Sequence, residues 1–337
     1  MMCIFPMHAL MAMATTKDTL FAAFVLLYMC ELIDILEKRC LYWHNKGRCI
    51  RFVFISFMMS VFRNNGVYVL VCGSIVVLVF SIQYYKKTIG VLITVFLMYF
   101  LYCGPVMGGL GVETGDMREA LSIVIQPLAR VYNLKNDNIS IKDKQRIENV
   151  FGNPEVIWYE AHKSDAAKSQ FDTQFFTSEL SENIKLYIKL GIEYPDVYFD
   201  ALLANTYGNW YPFEKLPDTT TYRMLFEMPE SDAINSCLPH FYEVLYRIGR
   251  ESSYQNIPII SLFYSTGIVF WLLLWVIMRL IAYKKYMEVL VCMPLLCLFF
   301  TIMLGPVPLF RYTYPLMICL PVVFSLIGKE AICEEHF

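Results

Sequence analysis

The sequence predicts an all-α fold: a polytopic bundle of about seven transmembrane helices that carries a helical extracytoplasmic domain. Hydrophobic residues make up 57% of the 337 residues and charged residues only 17%, whereas soluble domains are about 45–50% apolar. The mean hydropathy of +0.47 exceeds what one soluble core of this size would bury. The composition excludes a disordered chain, a fibrous repeat and a basic nucleic-acid binder, and it predicts the lipid bilayer as a partner.

The predicted spans are apolar runs, most of which approach the ~20 residues that a bilayer requires. The second run is short and ends at Arg63, and Gly66 follows after two asparagines. We therefore expect residues 50–83 to form a short helical hairpin, in which Gly66 supplies a permissive backbone and Arg63 lies near the membrane interface. The runs are residues 19–36, 50–63, 66–83, 88–106, 258–282, 286–304 and 309–328.

The positions of the cations predict the orientation of the chain. With the N-terminus outside and the C-terminus in the cytoplasm, eleven cations fall on the cytoplasmic side, as the positive-inside rule requires. This predicts an N-terminal transmembrane part (1–104), an extracytoplasmic domain (105–257) and a C-terminal transmembrane part (258–337) in the plasma (inner) membrane. The eleven are Lys38, Arg39, Lys46, Arg48, Arg51, Lys86, Lys87, Arg279, Lys284, Lys285 and Lys329.

The segment 105–257 is acidic and is predicted to be helical. It contains 14 Lys and Arg against 22 Asp and Glu, a net charge of about −8. Apolar residues at helical spacing predict one helix around Tyr187 and another from Pro195 to Gly208. The apolar stretch 120–132, which contains Pro127, we interpret as a segment on the membrane surface.

Three further cations, Lys17, Arg63 and Arg311, lie at the predicted outer ends of spans, where the positive-inside rule disfavours them. Their convergence would indicate a bound anion, and the anion available at that depth is a lipid phosphate or pyrophosphate. Asp18 is the candidate catalytic residue, because an acid beside a phosphate site can position an acceptor hydroxyl or bind a divalent metal. Alternatively, each cation extends separately to ordinary lipid headgroups.

Several motifs together resemble those of GT-C-type membrane glycosyltransferases. Phe5-Pro6 and Thr15-Thr16-Lys17-Asp18 precede the first span, Arg63-Asn64-Asn65-Gly66 connects the hairpin, and Arg311-Tyr312-Thr313-Tyr314-Pro315 opens the last span. The chain is most similar to an uncharacterised bacterial branch with a helical extracytoplasmic insert. The matching motifs of the insert are Gln126-Pro127-Leu128-Ala129-Arg130, Ser164-Asp165-Ala166-Ala167-Lys168, Tyr194-Pro195 and Trp210-Tyr211-Pro212.

The resemblance implies an enzyme that takes a sugar from a polyprenyl-phosphate donor and transfers it to a cell-envelope glycan acceptor on the outer face. It also implies a catalytic acid in an outer loop ahead of Asp18, and this chain has no such loop. We therefore expect either that upstream helices are missing or that the chain is inactive. A divalent metal is the one cofactor that this function would allow, and beyond Asp18 the sequence offers no ligand for it.

Four residues of the predicted outer domain are candidates for glycan or acceptor binding. Asp165 and Lys168 lie three residues apart and could act as an acid with its charge partner, although a solvated ion pair on a helix also explains them. Trp210 and Tyr211 could stack on sugar rings, and an interfacial aromatic belt or core packing is the alternative.

Two other classes of function stay open at this point. One is a non-catalytic membrane scaffold whose acidic helical domain binds an envelope partner. The other is a transporter for a lipid-linked glycan, which would predict matched half-repeats and broken helices at corresponding positions. The sequence shows neither feature.

Overall fold

The computed structural model of the protein describes residues 8, 11–12, 16–112, 115, 118, 121–153, 155–213, 238–240, 260–263 and 265–328. Phe5, Pro6, Thr15 and Lys329, which the sequence arguments use, lie outside these residues. Within them the chain forms helices, and the only β-structure is one isolated bridge between Glu160 and Lys163. The predicted all-α fold class is confirmed.

The chain divides into two compact units. Unit 1 comprises Met1–Glu113, Thr220–Ile302 and Phe310–Phe337, and unit 2 comprises Thr114–Thr219 and Met303–Leu309. The described helices are α1 (Lys17–Lys38), α2 (Cys40–His44), α3 (Lys46–Phe62), α4 (Asn65–Phe80), α5 (Ile82–Gly109), α6 (Ser122–Lys135), α7 (Ile141–Val150), α8 (Asp165–Gln170), α9 (Thr173–Ser178), α10 (Leu180–Glu193), α11 (Pro195–Trp210), α12 (Ile260–Phe263), α13 (Thr266–Ala282), α14 (Tyr286–Met303) and α15 (Phe310–Gly328).

Four of the described helices, α1, α5, α14 and α15, are long and apolar enough to cross a membrane. Two more, α4 and α13, are apolar but shorter. The prediction that the chain contains membrane-spanning helices is therefore supported, with four candidate spans where the sequence predicted about seven. Helix α3 corresponds to a predicted span, but three cations lie in its first six residues.

Helix α1 forms the centre of unit 1, where it packs against α3, α4 and α15. Its fully buried residues recur at helical spacing, which directs one face of the helix to these neighbours. Helix α15 keeps its helical course through Pro315 and Pro321. The buried apolar residues of α1 include Phe21, Ala22, Val25, Tyr28, Met29, Leu32 and Ile35.

Helices α3 and α4 pack on each other and are joined only by Arg63 and Asn64. Gly66 lies where the two backbones meet, and a Cβ atom there would collide with the carbonyl group of Met59. A glycine is required at this point because no side-chain movement could relieve a clash with backbone atoms. The close crossing fixes where the connecting residue Arg63 lies.

Unit 2 is a helical unit with its own apolar core. The helices predicted around Tyr187 and from Pro195 are present as α10 and α11, and α11 continues two residues past Gly208. The stretch 120–132 lies differently from our prediction. It forms most of α6, which packs against α11 and buries Ile125 and Leu128 in the core of the unit rather than lying on a membrane surface.

Candidate functional site

A cluster of charged residues lies at the start of α1, at the α3–α4 connection and at the start of α15. Asp18 is in the first turn of α1, where the helix dipole stabilises a negative charge. Arg63 ends α3, and Arg311 is the second residue of α15. All three belong to unit 1, so three segments that are distant in sequence supply one site.

The two arginines meet at the same carboxylate. Arg63 Nη1 lies 2.8 Å from Asp18 Oδ1, a charge-assisted hydrogen bond. Arg311 Nε lies 3.8 Å from Asp18 Oδ2, which is an ion pair but too long for a hydrogen bond. One carboxylate faces two guanidinium groups, so these three side chains carry one positive charge in excess.

Tyr312 lies beside both guanidinium groups. The guanidinium carbon of Arg63 is 4.5 Å from the centre of the Tyr312 ring, and that of Arg311 is 5.0 Å away. Arg311 Nη2 also donates to the Tyr312 hydroxyl oxygen at 3.1 Å. A ring face attracts cations, so Tyr312 helps to hold two like charges close together.

The arginines form the more open part of the cluster. The Asp18 side chain is 8% exposed, against 17% for Arg63 and 27% for Arg311. The Nε atom of Arg311 is buried and has no hydrogen-bond acceptor among the described residues. The cluster therefore combines a buried acid with two partly exposed cations.

Lys17 does not join the cluster. It is exposed, and it makes no ion pair with Asp18 in the part of the chain that the structure describes. Successive residues of an α-helix point about 100° apart, so burying Asp18 turns Lys17 away from it. Of the three cations predicted to converge, the structure brings two together.

Tyr312 and His8 are residues of this region to which the sequence assigned no role. Tyr312 belongs to a motif quoted above, but no sequence signal predicted that its ring would contact both arginines. His8 Nδ1 lies 2.9 Å from the hydroxyl of Tyr314, one turn into α15. This contact joins residues 306 positions apart, which no local pattern reveals.

A family model described as "Family of unknown function (DUF6020)" matches residues 1–334. The chain belongs to the DUF6020 family. No curated protein and no solved structure matches it. For this DUF6020 chain, the arrangement of its own side chains is therefore the evidence about function.

The glycan-binding candidates of the DUF6020 chain lie in unit 2. Lys168 Nζ lies 3.1 Å from Asp165 Oδ1, and the lysine is largely buried while the acid is partly exposed. Trp210 and Tyr211 pack with Tyr207, whose ring stacks on Tyr211 at a centroid distance of 4.8 Å. Each pair thus has a structural partner inside unit 2, and a role in glycan binding stays a prediction.

The segment 303–309 is held inside unit 2 by residues that sequence reasoning missed. The backbone N–H and hydroxyl of Ser164 both donate to the carbonyl of Pro306, at 2.9 and 3.1 Å. The amide of Asn205 donates to the carbonyl of Gly305 at 3.2 Å. Serine and asparagine carry no signal for partners 100 or more residues away, so these contacts were not predictable.

The described residues contain no group of three or more His, Cys, Asp or Glu side chains that could hold a metal ion. At the charged cluster, Asp18 is already paired with arginine, which disfavours a second cation by repulsion. The geometry of this cluster suits an anion better than a divalent metal.

Proposed function

We propose that the chain is a multi-pass glycosyltransferase-like protein of the plasma membrane, in which Arg63 and Arg311 bind the phosphate of a polyprenyl-phosphate-linked sugar. The observation that supports this most directly is the meeting of two guanidinium groups at the single carboxylate of Asp18. The excess positive charge and the two partly exposed guanidinium groups suit a phosphate, which accepts several hydrogen bonds at once.

In this proposal Asp18 has two successive roles. Without a donor it neutralises one arginine and keeps both in place. A phosphate competes for the same guanidinium groups, so it weakens the ion pairs of Asp18. The carboxylate is then able to accept a proton from the hydroxyl of an envelope glycan acceptor.

The proposal includes the membrane arrangement predicted from the cations. The shorter apolar helices would complete about seven spans, the N-terminus would lie outside and the C-terminus would lie in the cytoplasm. Unit 2 would then be extracytoplasmic. The donor would enter the site from the lipid.

A non-catalytic scaffold is the second candidate function, and a surface of α10 favours it. Leu180, Ile184, Ile188 and Ile192 form one row at i, i+4 spacing and are 42–76% exposed. An exposed apolar row on one helix is typical of a surface that packs against another molecule. In the scaffold reading this row contacts an envelope partner, and the arginine cluster only joins helices.

A binding measurement separates the glycosyltransferase-like protein from the scaffold. It compares a short polyprenyl phosphate with the uncharged polyprenol of the same length. In purified full-length protein, Arg311→Gln should weaken phosphate binding roughly tenfold, the loss typical of one charged hydrogen bond. Lys17→Gln is the matched control, because Lys17 is adjacent in sequence to the site but outside the cluster. It should leave binding unchanged.

Asp18→Asn should change the affinity for phosphate in the direction opposite to Arg311→Gln. Removing the carboxylate leaves two uncompensated cations, so the affinity for the phosphate should rise while transfer of sugar is lost. Equal binding of phosphate and alcohol by the wild-type protein would contradict the enzyme proposal and favour the scaffold. So would an equal loss in Arg311→Gln and Lys17→Gln, because that result indicates only general attraction to charge.

A further inference from the structure

A groove with apolar walls lies between α13 and α15 of unit 1, and no step of the proposed function uses it. Its volume is about 460 Å³. Trp271, Leu272, Trp275 and Met278 of α13 form one wall, and Phe324 of α15 forms the other. Trp275 is 44% exposed and Met278 is 57% exposed, so the groove opens to the molecular surface.

Arg279 lies at one end of this groove. It follows Met278 in α13 and is exposed. Trp271 and Arg279 are eight residues apart, or about 12 Å along a helix. The exposed stripe of α13 is therefore apolar over roughly two turns and then ends in a cation. A ligand that matches both parts has a hydrocarbon chain and an anionic headgroup.

Two aromatic rings hold the guanidinium group of Arg279 in place. Its central carbon is 5.9 Å from the centre of the Trp275 ring and 4.8 Å from that of the Tyr283 ring. Its Nη2 donates to the Tyr283 hydroxyl. Ring faces attract the cation, and a cation that is already positioned loses less entropy on binding. A guanidinium has five N–H donors, so donors remain on the exposed side chain for an anion.

The charged groups near Arg279 do not neutralise it in the part of the chain that the structure describes. Lys284 is exposed in the α13–α14 connection, and Lys285 is buried and donates to two carbonyls at the end of α15, at 3.1 Å each. Glu288 is buried in the first turn of α14, and none of the described ion pairs joins it to Arg279. The charged residues after α15, which lie outside the described residues, are Lys329, Glu330, Glu334 and Glu335.

We propose that this groove binds an anionic phospholipid, with its phosphate at Arg279 and an acyl chain between α13 and α15. Tryptophan, methionine and phenylalanine offer apolar surface to the chain, and the guanidinium forms charge-assisted hydrogen bonds with the phosphate. Free phosphate would leave the apolar walls uncovered, and a second copy of the chain would have to supply an acid for Arg279. The groove shares no residue with the Asp18 cluster, so the inference does not depend on the proposed function.

The test uses the purified full-length protein with phosphatidylglycerol or phosphatidylcholine of the same acyl chains, and it measures bound lipid by native mass spectrometry. Wild-type protein should prefer phosphatidylglycerol, because phosphatidylcholine carries its own cation beside the phosphate. Arg279→Gln should lower the affinity for phosphatidylglycerol roughly tenfold and abolish the preference. Lys284→Gln is the matched control, since it removes a nearby exposed cation that does not line the groove. It should keep the wild-type preference.

A second pair of variants tests the apolar wall. Met278→Asn puts a polar group at an exposed lining position, so it should weaken the binding of both lipids while the melting temperature shows that the fold is kept. Ile281→Asn is its control, because Ile281 is 47% exposed on the same helix but outside the lining. It should bind both lipids like wild type.

Three results would overturn the proposal. The first is a wild-type preference for phosphatidylglycerol in Arg279→Gln, and the second is an equal loss in a variant and its matched control. The third is competition by inorganic phosphate as effective as that by phosphatidylglycerol. A dimer of the lipid-free protein that dissociates in Met278→Asn, with lipid binding unchanged, would assign the groove to a second copy of the chain instead.

Discussion

Tyr187 donates a hydrogen bond of 3.1 Å from its hydroxyl to the backbone carbonyl of Ile123. In an uninterrupted helix that carbonyl would accept from the N–H of residue 127, but residue 127 is a proline and has no N–H. The tyrosine of α10 therefore replaces the donor that α6 lacks. Burial raises the pKa of Tyr187 above its usual value, so its hydroxyl stays a donor even in moderately alkaline solution.

This replacement predicts a specific coupling between positions 187 and 127. Tyr187→Phe should destabilise the protein by about 1 kcal/mol, because it leaves the carbonyl of Ile123 without its donor. In a Pro127→Ala background the helix supplies an N–H to that carbonyl, so the same substitution should cost less. A double-mutant cycle measured by thermal unfolding gives the coupling energy, and additive effects would contradict the explanation.

The ion pair between Asp143 and Lys189 in unit 2 predicts how the unit responds to acid. Burial alone would raise the pKa of Asp143, but hydrogen bonds from Lys189 and Ser140 outweigh it and lower the pKa below its usual value. A lowered pKa stabilises the fold above the pKa of the unfolded state, near 4, and this contribution is lost as pH falls through the folded value. Asp143→Asn should therefore flatten the loss of stability below about pH 4.

The control for this prediction is Glu182→Gln. Glu182 also has a lowered pKa, through Lys185, but it is an exposed i, i+3 pair. Exposed pairs contribute little to stability, so this variant should behave like wild type in acid. Hydrogen exchange of the α7 and α10 amides between pH 3 and 6 would show the difference. An equal effect of both variants would mean that the response reflects net charge.

The helices were largely predictable from local sequence patterns, whereas the surfaces against which they pack were not. Pro195 and the apolar spacing after it predicted α11, because a helix start and a periodicity of 3.6 are local features. The stretch 120–132 was assigned to a membrane surface, yet it forms the core of unit 2 through α6. An apolar face shows only that a helix is covered, and its cover here comes from four later helices of the same unit, α7, α8, α10 and α11.

The charged cluster was also predictable only in part. Arg63 and Arg311 stand out because the predicted orientation puts them at outer helix ends, where cations are unfavourable, and the structure places both at Asp18. Lys17 had the same sequence signal but points elsewhere, since sequence gives the position along a helix more reliably than the direction of a side chain around it. The contact of Tyr312 with both arginines depends on three segments meeting and has no local signal.

The proposed orientation predicts which thiols react from outside. Cys49 lies just inside the start of α3, in the predicted cytoplasmic loop, and Asn138 is exposed in unit 2. In spheroplasts, a membrane-impermeant maleimide should modify an Asn138→Cys variant at position 138 and leave Cys49 unmodified. Both should react after the membrane is opened, with the sites assigned by peptide mass spectrometry. Labelling of Cys49 alone in intact spheroplasts would reverse the orientation.

The close crossing at Gly66 predicts the effect of one methyl group on the charged cluster. Gly66→Ala places a Cβ against the carbonyl of Met59 and 3.0 Å from the Cα of Ser60, so α3 and α4 must separate. Overpacking of this kind costs about 1–3 kcal/mol. Arg63 lies in the two-residue connection of the same hairpin, so the separation should also lengthen its ion pair with Asp18 and weaken phosphate binding. Gly90→Ala in α5 is the control, since no described atom beyond the adjacent residues and the local helix backbone lies within 4 Å of a Cβ at that position. It should not lower the melting temperature, because alanine is the better helix former, and it should leave binding unchanged. A Gly66→Ala protein that melts and binds like wild type would show that the hairpin does not position Arg63.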